Sequence, residues 1–445
     1  MNATSPTRLP PAWARPTAPL FVHLSITKGC NWNCPWCVIR NNDGPHGNFD
    51  KIEAIVIQLG KAKVFDVTLY GGEPLRHPDA LRVGRLISEQ GMRSGFVSNG
   101  DVDVDATKVA EVFPQGAVSI HGPAAIHDNL VKSVGSFGRS SEFLKQYLRA
   151  GGRASLCVTV GRRNLNSVVS FFDYVCNNLP VVSVVVNPVI PLPGAGDTLD
   201  GGDLEALGGI LASSEEKLEH SGISLAIGAS VPFCALPPEA AHLGGNCHAG
   251  TLFAVVDYTG DVYVCPDREK VIGNVLDGEL TKLWTDHSEF DLQASASFAS
   301  PCCKDCVAYT WCVGGCTSTR PGPAPTTDKR CKGPAAAMRN FEFIVKTRDG
   351  RQISKEVADG IISLVPAARI REEPFGMFVL TPQGEPFALD QLGGRLVRSI
   401  MKEKEVTLSR LAEVGSLDEK EAGKFVLQGV KLGIIKSREK GNDDL

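Results

Sequence analysis

Three features that would narrow the function are missing from this 445-residue chain. No apolar stretch approaches the roughly 20 residues that a helix needs to cross a bilayer, so we expect no membrane segment. Residues 1–19 are polar and proline-rich and lack the apolar core of a secretory signal, which predicts a flexible lead and a cytoplasmic protein. The net charge of −4 provides no basic field, which disfavours nucleic acid as a partner.

Cysteine, by contrast, is abundant, with 14 residues in the chain. In a reducing compartment these cysteines are not expected to form disulfides, and a chain of this length does not need them for stability. Their positions indicate metal binding instead: three are Cys30, Cys34 and Cys37, and nine lie from Cys234 to Cys331 inclusive. The cysteines without an assigned role are Cys157, Cys176 and Cys302, which directly precedes Cys303.

The first half of the chain alternates short apolar runs with amphipathic segments. Six apolar runs between residues 21 and 187 have the length of strands, and the segments between them have helical periodicity. One further helix and strand follow, up to about residue 227. This regular alternation predicts parallel strands joined by helical crossovers, and therefore an α/β fold of the partial (β/α)6 barrel type.

The rest of the chain changes character twice. After the barrel, expected over residues 20–228, residues 229–335 are rich in cysteine and turn residues and predict a small domain shaped by its metal ligands. Residues 336–364 are expected to be a linker. In residues 365–445, a hairpin around Thr381–Glu385 and three short helices predict a winged-helix-like module.

The three cysteines of the first group follow the first strand at the spacing C-x3-C-x2-C. Three thiolates on one short loop suit an iron–sulfur cube and leave one of its four irons without a protein ligand. An open position is typical of a reactive metal, whereas a structural site is closed. Further candidates follow later strands, at Gly71–Gly72, Ser98–Gly100 and Ser119–His121, and barrels carry their active sites at the carboxyl ends of their strands. The alternative is a zinc loop or a set of buried structural thiols.

These residues resemble the motifs of radical S-adenosylmethionine (SAM) enzymes, over about residues 20–190. The likeness rests on the C-x3-C-x-Φ-C loop with Trp36 as its aromatic residue, on Gly71-Gly72-Glu73-Pro74, on Ser98-Asn99-Gly100, and on Val118-Ser119-Ile120-His121-Gly122, where His121 replaces the commoner aspartate. The resemblance implies a [4Fe-4S] cluster on Cys30, Cys34 and Cys37, whose open iron binds the amino and carboxylate groups of SAM. It implies cofactor contacts from Trp36 at the adenine, from the backbone of Gly71, Gly72, Glu73 and Pro74 at the methionyl amine, and from Ser98, Asn99 and Ser119.

One position departs from the pattern of that family. Relatives often carry H-D-x-x-R-G before G-S-F, and the arginine helps to bind the SAM carboxylate. Here His127-Asp128 is followed by Val131 in the arginine position and then by Lys132. Lys132 is the candidate substitute, although an ammonium group is a point charge without the fork of a guanidinium group.

The second cysteine group resembles the SPASM domain that extends many peptide-modifying radical SAM enzymes. Its pattern is C-x12-G-x4-C, then C-x2-C-x5-C-x3-C, then a last cysteine, formed by Cys247, Cys265, Cys303, Cys306, Cys312, Cys316 and Cys331. The resemblance implies two auxiliary [4Fe-4S] clusters, the first on Cys247, Cys265 and Cys316 and the second on Cys303, Cys306, Cys312 and Cys331. Cys234 is the candidate fourth ligand of the first cluster, which otherwise keeps an open site. The alternative is a pair of zinc sites.

One aspartate of this segment is also a candidate. Asp267 lies near the position where sulfatase-maturing relatives carry a catalytic base. A solvated loop aspartate is the alternative interpretation.

Residues 365–435 resemble the PqqD-like recognition element of pathways that modify ribosomally made peptides. The likeness is carried by Val379-Leu380, by Ala388-Leu389-Asp390 and by Leu432–Ile435. Such elements bind a leader peptide by adding it as a strand to a sheet edge. The alternative is a generic winged helix, including one that binds DNA, but basic and acidic residues alternate here and form no basic face.

The sequence as a whole therefore predicts an enzyme that cleaves SAM reductively to a 5′-deoxyadenosyl radical. The expected substrate is a precursor peptide with a leader, and the expected product carries a C–C or thioether crosslink or another oxidised side chain. The expected electron donor is a protein such as flavodoxin or ferredoxin. The alternatives are a SPASM enzyme that acts on a folded protein or a small molecule, and a zinc or iron–sulfur protein without turnover.

Overall fold

The computed structural model describes residues 14–37, 39, 43–190, 196–244, 248–267, 270–287, 303–304, 306–319, 328–349, 360–382 and 384–439. The chain forms two compact units, the first built mainly from Thr17–Thr347 and the second mainly from Arg348–Leu445. None of the described helices combines the length and the apolar character needed to cross a membrane.

The first unit contains one sheet of ten strands in the order β10-β9-β8-β1-β2-β3-β4-β5-β6-β7. The strands are β1 Phe21–Thr27, β2 Asp66–Gly71, β3 Arg93–Ser98, β4 Gln115–Ser119, β5 Arg153–Val160, β6 Ser183–Pro188, β7 Ser224–Ile227, β8 Phe253–Asp257, β9 Asp261–Tyr263 and β10 Val271–Asn274. The first seven strands pair in parallel in chain order. This is the parallel sheet of a partial barrel, so the predicted fold class is confirmed.

Helices connect these parallel strands, as the alternating pattern predicts. They are α1 Phe49–Lys61, α2 Ala80–Glu89, α3 Ala106–Val112, α4 Ala124–Val131, α5 Ser136–Arg149, α6 Arg162–Leu165, α7 Val168–Asn178 and α8 Gly201–His220. In α1 the side chain of Asn48 caps the first turn by accepting from the amide of Lys51, and Ile52, Ile55 and Leu59 are buried along one face. Asp50 lies in the first turn of this helix, where its negative charge is favourable.

The two faces of the barrel strands differ in polarity. On β5, Leu156 and Val158 belong to the hydrophobic core shared with the helices. The alternate residues Ser155, Cys157 and Thr159 are half-buried on the opposite face, because successive side chains of a strand point to opposite sides. The interior face of the barrel is therefore lined here by small, largely polar groups.

The cysteine-rich segment extends the barrel sheet. Strand β8 pairs in parallel with β1, from Phe21 opposite Phe253 to Ser25 opposite Asp257. Strands β9 and β10 then continue the sheet in antiparallel pairs. The sequence gives no sign that β8 joins the first strand of the barrel. Later helices of this segment are α9 Leu280–Asp286, α10 Tyr309–Cys312 and α11 Pro334–Asp349, the last of which occupies half of the predicted linker.

The second unit has its own small core. Its elements are β11 Gly360–Leu364, β12 Arg369–Glu373, β13 Gly376–Leu380, β14 Pro386–Asp390, α12 Gln391–Glu403, α13 Leu408–Gly415, α14 Glu419–Lys431 and β15 Ile435–Glu439. Strands β12, β13 and β14 form one antiparallel sheet, and β11 pairs with β15. Buried Met377, Val397 and Val426 pack together in its core. The β13–β14 hairpin and the three helices are those that the sequence predicts, whereas β11, β12 and β15 are additional.

Candidate active site

The first cysteine group lies on the loop that follows β1. The amide of Trp32 donates to Cys30 Sγ at 3.4 Å, and the amide of Cys37 donates to the carbonyl of Cys34 at 3.1 Å. All three cysteines are half-buried. Burial raises the pKa of the Cys30 thiol to about 11, and the charges of Glu73 and Cys37 raise it further. Burial and the two neighbouring thiols also raise the pKa of Cys34.

These shifts suit a metal site. Three thiolates held this close repel one another and are poorly hydrated, so their ionised forms need a positively charged partner. A metal centre supplies that charge and takes the thiols in their deprotonated form. The donor set therefore fits an iron–sulfur cluster on Cys30, Cys34 and Cys37.

Gly71 and Gly72 allow the end of β2 to lie against the cysteine loop. The amide of Gly72 donates to Thr27 at 2.8 Å, and the amide of Glu73 donates to Gly29 at 2.8 Å. A Cβ atom on Gly72 would lie 2.1 Å from the Gly29 carbonyl oxygen, and Gly71 adopts a φ of 129°. The amides here bind the cysteine loop, which leaves the carbonyl oxygens of this segment as the acceptors that an ammonium group would need.

Glu73 connects the ends of β2 and β3. Its side chain is buried and accepts from the amide of Leu75 at 3.0 Å, the hydroxyl of Ser98 at 2.8 Å and the amide of Asn99 at 2.6 Å. Burial raises the pKa of Glu73 to about 7, against the lowering effect of these donors. Pro74, also buried, begins the short 3-10 turn Pro74–Arg76. Three predicted cofactor residues, Glu73, Ser98 and Asn99, thus bind one another.

Asn99 links this network to the cysteine loop. Its Nδ2 donates to Asn31 Oδ1 at 2.8 Å and lies 4.0 Å from Cys30 Sγ. Its Oδ1 accepts from the amide of Asp101 at 2.8 Å, and its carbonyl accepts from the hydroxyl of Ser140 at 2.6 Å. The side chain therefore positions the cluster loop.

A second set of hydrogen bonds, which the sequence does not predict, holds this loop at Asp101. Trp32 Nε1 donates to Asp101 Oδ2 at 3.1 Å, and Asn31 Nδ2 donates to the Asp101 carbonyl at 2.7 Å. Arg139 binds both carboxylate oxygens, at 2.5 and 2.9 Å. Burial alone would raise the pKa of Asp101, but the hydrogen bonds from Arg139 and Trp32 lower it. The only sign in the sequence is the tryptophan between two of the cysteines.

Two buried histidines lie beside the aromatic residue of the loop. The rings of Trp36 and His121 meet edge to face with centroids 5.1 Å apart. His121 Nδ1 accepts from the amide of Thr159 at 3.1 Å, and His127 Nδ1 accepts from the amide of His121 at 3.0 Å. Burial lowers the pKa of both, to about 4 for His127. Both rings are therefore neutral and carry their proton on Nε2.

Solvent exposure differs among Ser119, Val131 and Lys132. Ser119 ends β4 opposite Cys157 and is half-buried on the interior face. Val131 is fully buried, and its carbonyl accepts from the amide of Asn33 at 3.0 Å. Lys132 follows at the end of α4 with a φ of 59° and an exposed side chain. The backbone thus places Lys132 beside the cysteine loop.

One tyrosine of the barrel lies near residues of both cysteine groups. Tyr70, on β2, stacks on His23 with ring centroids 5.1 Å apart, and His23 meets Phe253 at 4.7 Å. Burial raises the pKa of Tyr70, and the charges of Asp267, Cys37 and Cys265 raise it further. The charges of both cysteine groups therefore act on the hydroxyl group of Tyr70.

The auxiliary group around Cys265 is partly described. Asp267 donates its amide to Cys265 Sγ at 3.4 Å, and its carboxylate lies 3.9 Å from that sulfur. Ser318 Oγ lies 4.0 Å from the same sulfur. Cys316 is buried, and burial raises its pKa against the lowering effects of the Ser318 backbone amide and of the charge of Arg330. Cys247, the remaining predicted ligand of this group, lies outside the described residues, as does Cys302.

The second auxiliary group contains five cysteines. Cys303, Cys306, Cys312 and Cys331 line one cavity, as their predicted grouping requires, and Cys234 lines it with them. Cys234 Sγ lies 3.4 Å from Cys331 Sγ. The sequence interpretation placed Cys234 with Cys265 and Cys316, and the structure instead places it in the other group.

Comparisons with known proteins agree with this geometry. The family model described as the radical SAM superfamily matches residues 24–175, and the model of the SPASM iron–sulfur cluster-binding domain matches residues 247–307. The mycofactocin maturase MftC of Mycobacterium tuberculosis (strain CDC 1551 / Oshkosh) is 24% identical over 381 residues, which cover 80% of this chain and 95% of that protein. The AdoMet-dependent heme synthase of Methanosarcina barkeri is 25% identical over 327 residues, covering 68% and 92%.

Solved structures share the fold. Streptococcus suis SuiB bound to S-adenosylmethionine superposes with a TM-score of 0.60 at 17% identity, over 71% of this chain and 78% of that chain. The same protein bound to the precursor peptide SuiA gives 0.59 at 16% identity, over 71% and 76%.

A partial barrel with three thiols at the carboxyl end of its first strand, joined to a second cysteine domain, defines an iron–sulfur enzyme. The chain carries a radical SAM domain, matched over residues 24–175, and a SPASM iron–sulfur cluster-binding domain, matched over residues 247–307. Its cofactors are a SAM-binding [4Fe-4S] cluster, auxiliary clusters and SAM.

Proposed function

We propose that this enzyme modifies a ribosomally made precursor peptide, forming a C–C or thioether crosslink or another oxidised side chain. The observation that carries the proposal is the position of the Cys30 loop at the carboxyl end of a barrel with a small, polar interior face. Ser119, Ser155 and Thr159 are half-buried there and carry hydroxyl groups that suit hydrogen bonds to a peptide segment. The names of MftC and of the SuiB–SuiA complex support a peptide substrate.

With cluster and cofactor bound, the site supplies a 5′-deoxyadenosyl radical that takes a hydrogen atom from the substrate. The protein's own residues position and shield that chemistry. Glu73, Asn99 and Asp101 fix the cysteine loop, and we assign Trp36 and the Nε2–H group of His121 to the cofactor cavity. We assign Ser119 and Lys132 to SAM, with Lys132 at its carboxylate.

Auxiliary clusters held by Cys265 and Cys316 and by Cys303, Cys306, Cys312 and Cys331 would supply an acceptor for an electron from the substrate radical, which suits an oxidative product. Tyr70 stacks on His23 and is subject to the charges of Cys37 and Cys265, and we assign this pair to the path between the two cysteine groups. A reduced protein such as flavodoxin or ferredoxin delivers the electron that begins each turnover.

The second unit serves as the PqqD-like leader-binding module of this proposal. In the described part of that unit, β12 and β14 each pair on one side only, so the three-stranded sheet has two edges available for an added strand. Strand addition uses the backbone of the peptide, and its amides alternate between the sheet edge and solvent.

The first test is turnover. The full chain, with its clusters reconstituted anaerobically, is given SAM, a reductant and synthetic copies of short peptides encoded beside the gene. The expected result is 5′-deoxyadenosine together with a peptide that has lost two hydrogen atoms for each crosslink formed. The control is the variant Cys30→Ala/Cys34→Ala/Cys37→Ala, which yields neither product. Cleavage of SAM without change in any such peptide contradicts the proposal.

The second test addresses the leader. Binding of N-methylated versions of the peptide to the full chain is measured by fluorescence anisotropy, one methyl group at a time. Strand addition predicts weaker binding at every second position. Losses that follow a spacing of three and four residues would instead indicate a helix in a groove.

The second candidate function is action on a small molecule, because the heme synthase of Methanosarcina barkeri also aligns over most of the chain. This candidate predicts SAM cleavage that a porphyrin precursor stimulates and that a peptide does not. The same turnover assay, with both substrates in parallel, distinguishes the two.

A further inference from the structure

The segment that carries Cys234 is attached to the second auxiliary group at several points. The amide of Phe233 donates to Cys312 Sγ at 3.3 Å. Asn340 Nδ2 donates to the carbonyls of Phe233 and Leu236, both at 2.9 Å. These contacts lie on both sides of Cys234 and hold its backbone beside the second auxiliary group.

The Cys234 sulfur also contacts the cysteine at the other end of the motif. It lies 3.4 Å from Cys331 Sγ, and the amide of Lys332 donates to it at 3.1 Å. The site thus brings five thiols to one cavity. A [4Fe-4S] cluster takes four thiolates, one for each iron. The cavity therefore holds one thiol more than such a cluster has irons, and Cys331, which also hydrogen-bonds Cys303, is the cysteine whose sulfur Cys234 contacts.

We propose that Cys234 and Cys331 are interchangeable ligands of one corner of the second auxiliary cluster. The exchange forms one iron–sulfur bond and breaks one, while the arriving thiol releases a proton and the departing thiolate takes one up. No oxidant or reductant is required, because the charge of the cluster and its ligands is the same before and after. The inference depends on the auxiliary clusters and not on the substrate, so failure of the peptide proposal leaves it standing.

The test isolates the second auxiliary site in the full chain. A background variant, Cys30→Ala/Cys34→Ala/Cys37→Ala/Cys265→Ala/Cys316→Ala, removes ligands of the other two clusters. After anaerobic reconstitution it is expected to hold about four irons per chain and, once reduced by dithionite, to give one [4Fe-4S] signal in electron paramagnetic resonance. Cys234 and Cys331 are then replaced by alanine in this background, singly and together.

Interchangeable ligands predict that either single replacement keeps the iron content and that the double replacement loses it. A change in the g values is expected in the Cys331→Ala protein, because Cys234 is then the ligand of that corner in every molecule. Cys306→Ala is the matched control for a ligand without a substitute and is expected to lose the iron. Cys157→Ala, in the barrel, is expected to keep it.

Two outcomes overturn the inference. One is loss of the cluster in Cys331→Ala alone. The other uses the background Cys30→Ala/Cys34→Ala/Cys37→Ala, which keeps both auxiliary clusters. Loss of the first auxiliary cluster when Cys234→Ala is added to this background would show that Cys234 ligates that cluster together with Cys265 and Cys316. Circular dichroism of each variant checks folding, and Cys331→Ser, which keeps the side-chain size, repeats the measurement if the alanine variant does not fold.

Discussion

The carboxylate of Glu73 accepts a hydrogen bond from the backbone amide of Asn99 at 2.6 Å, which ties the end of β2 to the end of β3. The side chain of Asn99 in turn donates to Asn31 in the cysteine loop. One buried carboxylate therefore helps to set the position of the cluster ligands although it does not contact them. The glutamate of the Gly-Gly-Glu-Pro motif acts here as a positioning residue.

Replacing Glu73 by glutamine is expected to destabilise the protein and to weaken SAM binding. Both carboxylate oxygens accept from N–H or O–H groups, so one of them would be replaced by an NH2 group that faces another donor. A buried group left without its partner costs about 1–3 kcal/mol. Urea denaturation and equilibrium dialysis with SAM measure the two effects. Glu111→Gln, on an exposed position of α3, is the control, and equal behaviour of the two variants would contradict the positioning role.

Glu73 also predicts a pH dependence of stability. Its folded pKa of about 7, raised by burial, exceeds the ~4.3 of an unfolded glutamate. The folded protein holds this proton more tightly, so the stabilisation is present at low pH and is lost as pH rises through the folded pKa. Between about pH 6 and about pH 8 we expect the wild type to lose about 1 kcal/mol more stability than Glu73→Gln, which does not titrate. Anaerobic urea denaturation at both pH values measures the difference, and an equal loss in both proteins would show that Glu73 is ionised throughout.

The sequence predicts those parts of the site that depend on local pattern. The position of Cys30 after the first strand follows from an apolar run and a spacing, and Gly71-Gly72 follows from a motif. The contact between Trp32 and Asp101 joins residues 69 positions apart and leaves no periodic signal. The tertiary structure decides which auxiliary cysteine group contains Cys234, and the spacing between Cys234 and Cys247 in the sequence does not predict it. The sequence does not predict the pairing of β8 with β1 either, because the two strands are far apart along the chain.

Trp32→Phe is expected to loosen the cysteine loop. The substitution keeps most of the buried ring but removes the Nε1–H donor to Asp101, leaving that carboxylate to Arg139 and Ser133. The lost hydrogen bond is worth about 1.5–3 kcal/mol, because its acceptor is charged. Faster loss of iron from the SAM-binding cluster to a chelator, followed by absorbance, is the expected result. Trp284→Phe, buried away from this loop, is the control, and equal rates in the two variants would contradict a bracing role for Trp32.

Gly72→Ala is expected to prevent assembly of the SAM-binding cluster. The added Cβ atom would lie 2.1 Å from the Gly29 carbonyl oxygen, a contact that forces the β2 end away from the cysteine loop. Gly138→Ala is the matched control: Gly138 lies in α5, and a Cβ atom there meets no neighbour within 4 Å. Alanine also favours a helix over glycine by about 1 kcal/mol. Iron content and SAM binding should fall in the first variant only, and normal iron content in Gly72→Ala would contradict the close approach.

Arg330 is expected to raise the reduction potential of an auxiliary cluster. Its guanidinium group is buried, pairs with Asp328 at 2.7 Å and lies near Cys316, yet its Nη1 atom has no hydrogen-bond partner in the described part of the chain. A cluster sulfur is a suitable acceptor for this orphan donor, and hydrogen bonds to the sulfurs make reduction easier. Asp328→Asn/Arg330→Gln removes the donor without leaving a buried unpaired charge.

The potential of this double variant should become more negative by about 40 mV, since a hydrogen bond of about 1 kcal/mol corresponds to that shift for one electron. Redox titration followed by electron paramagnetic resonance, in the background that lacks the Cys30 group, measures the potential. Arg162→Gln, in an exposed ion pair of the same unit, is the control and should leave it unchanged. An unchanged potential in the double variant with full iron content would mean that Nη1 donates to water, and that Arg330 serves only to balance Asp328.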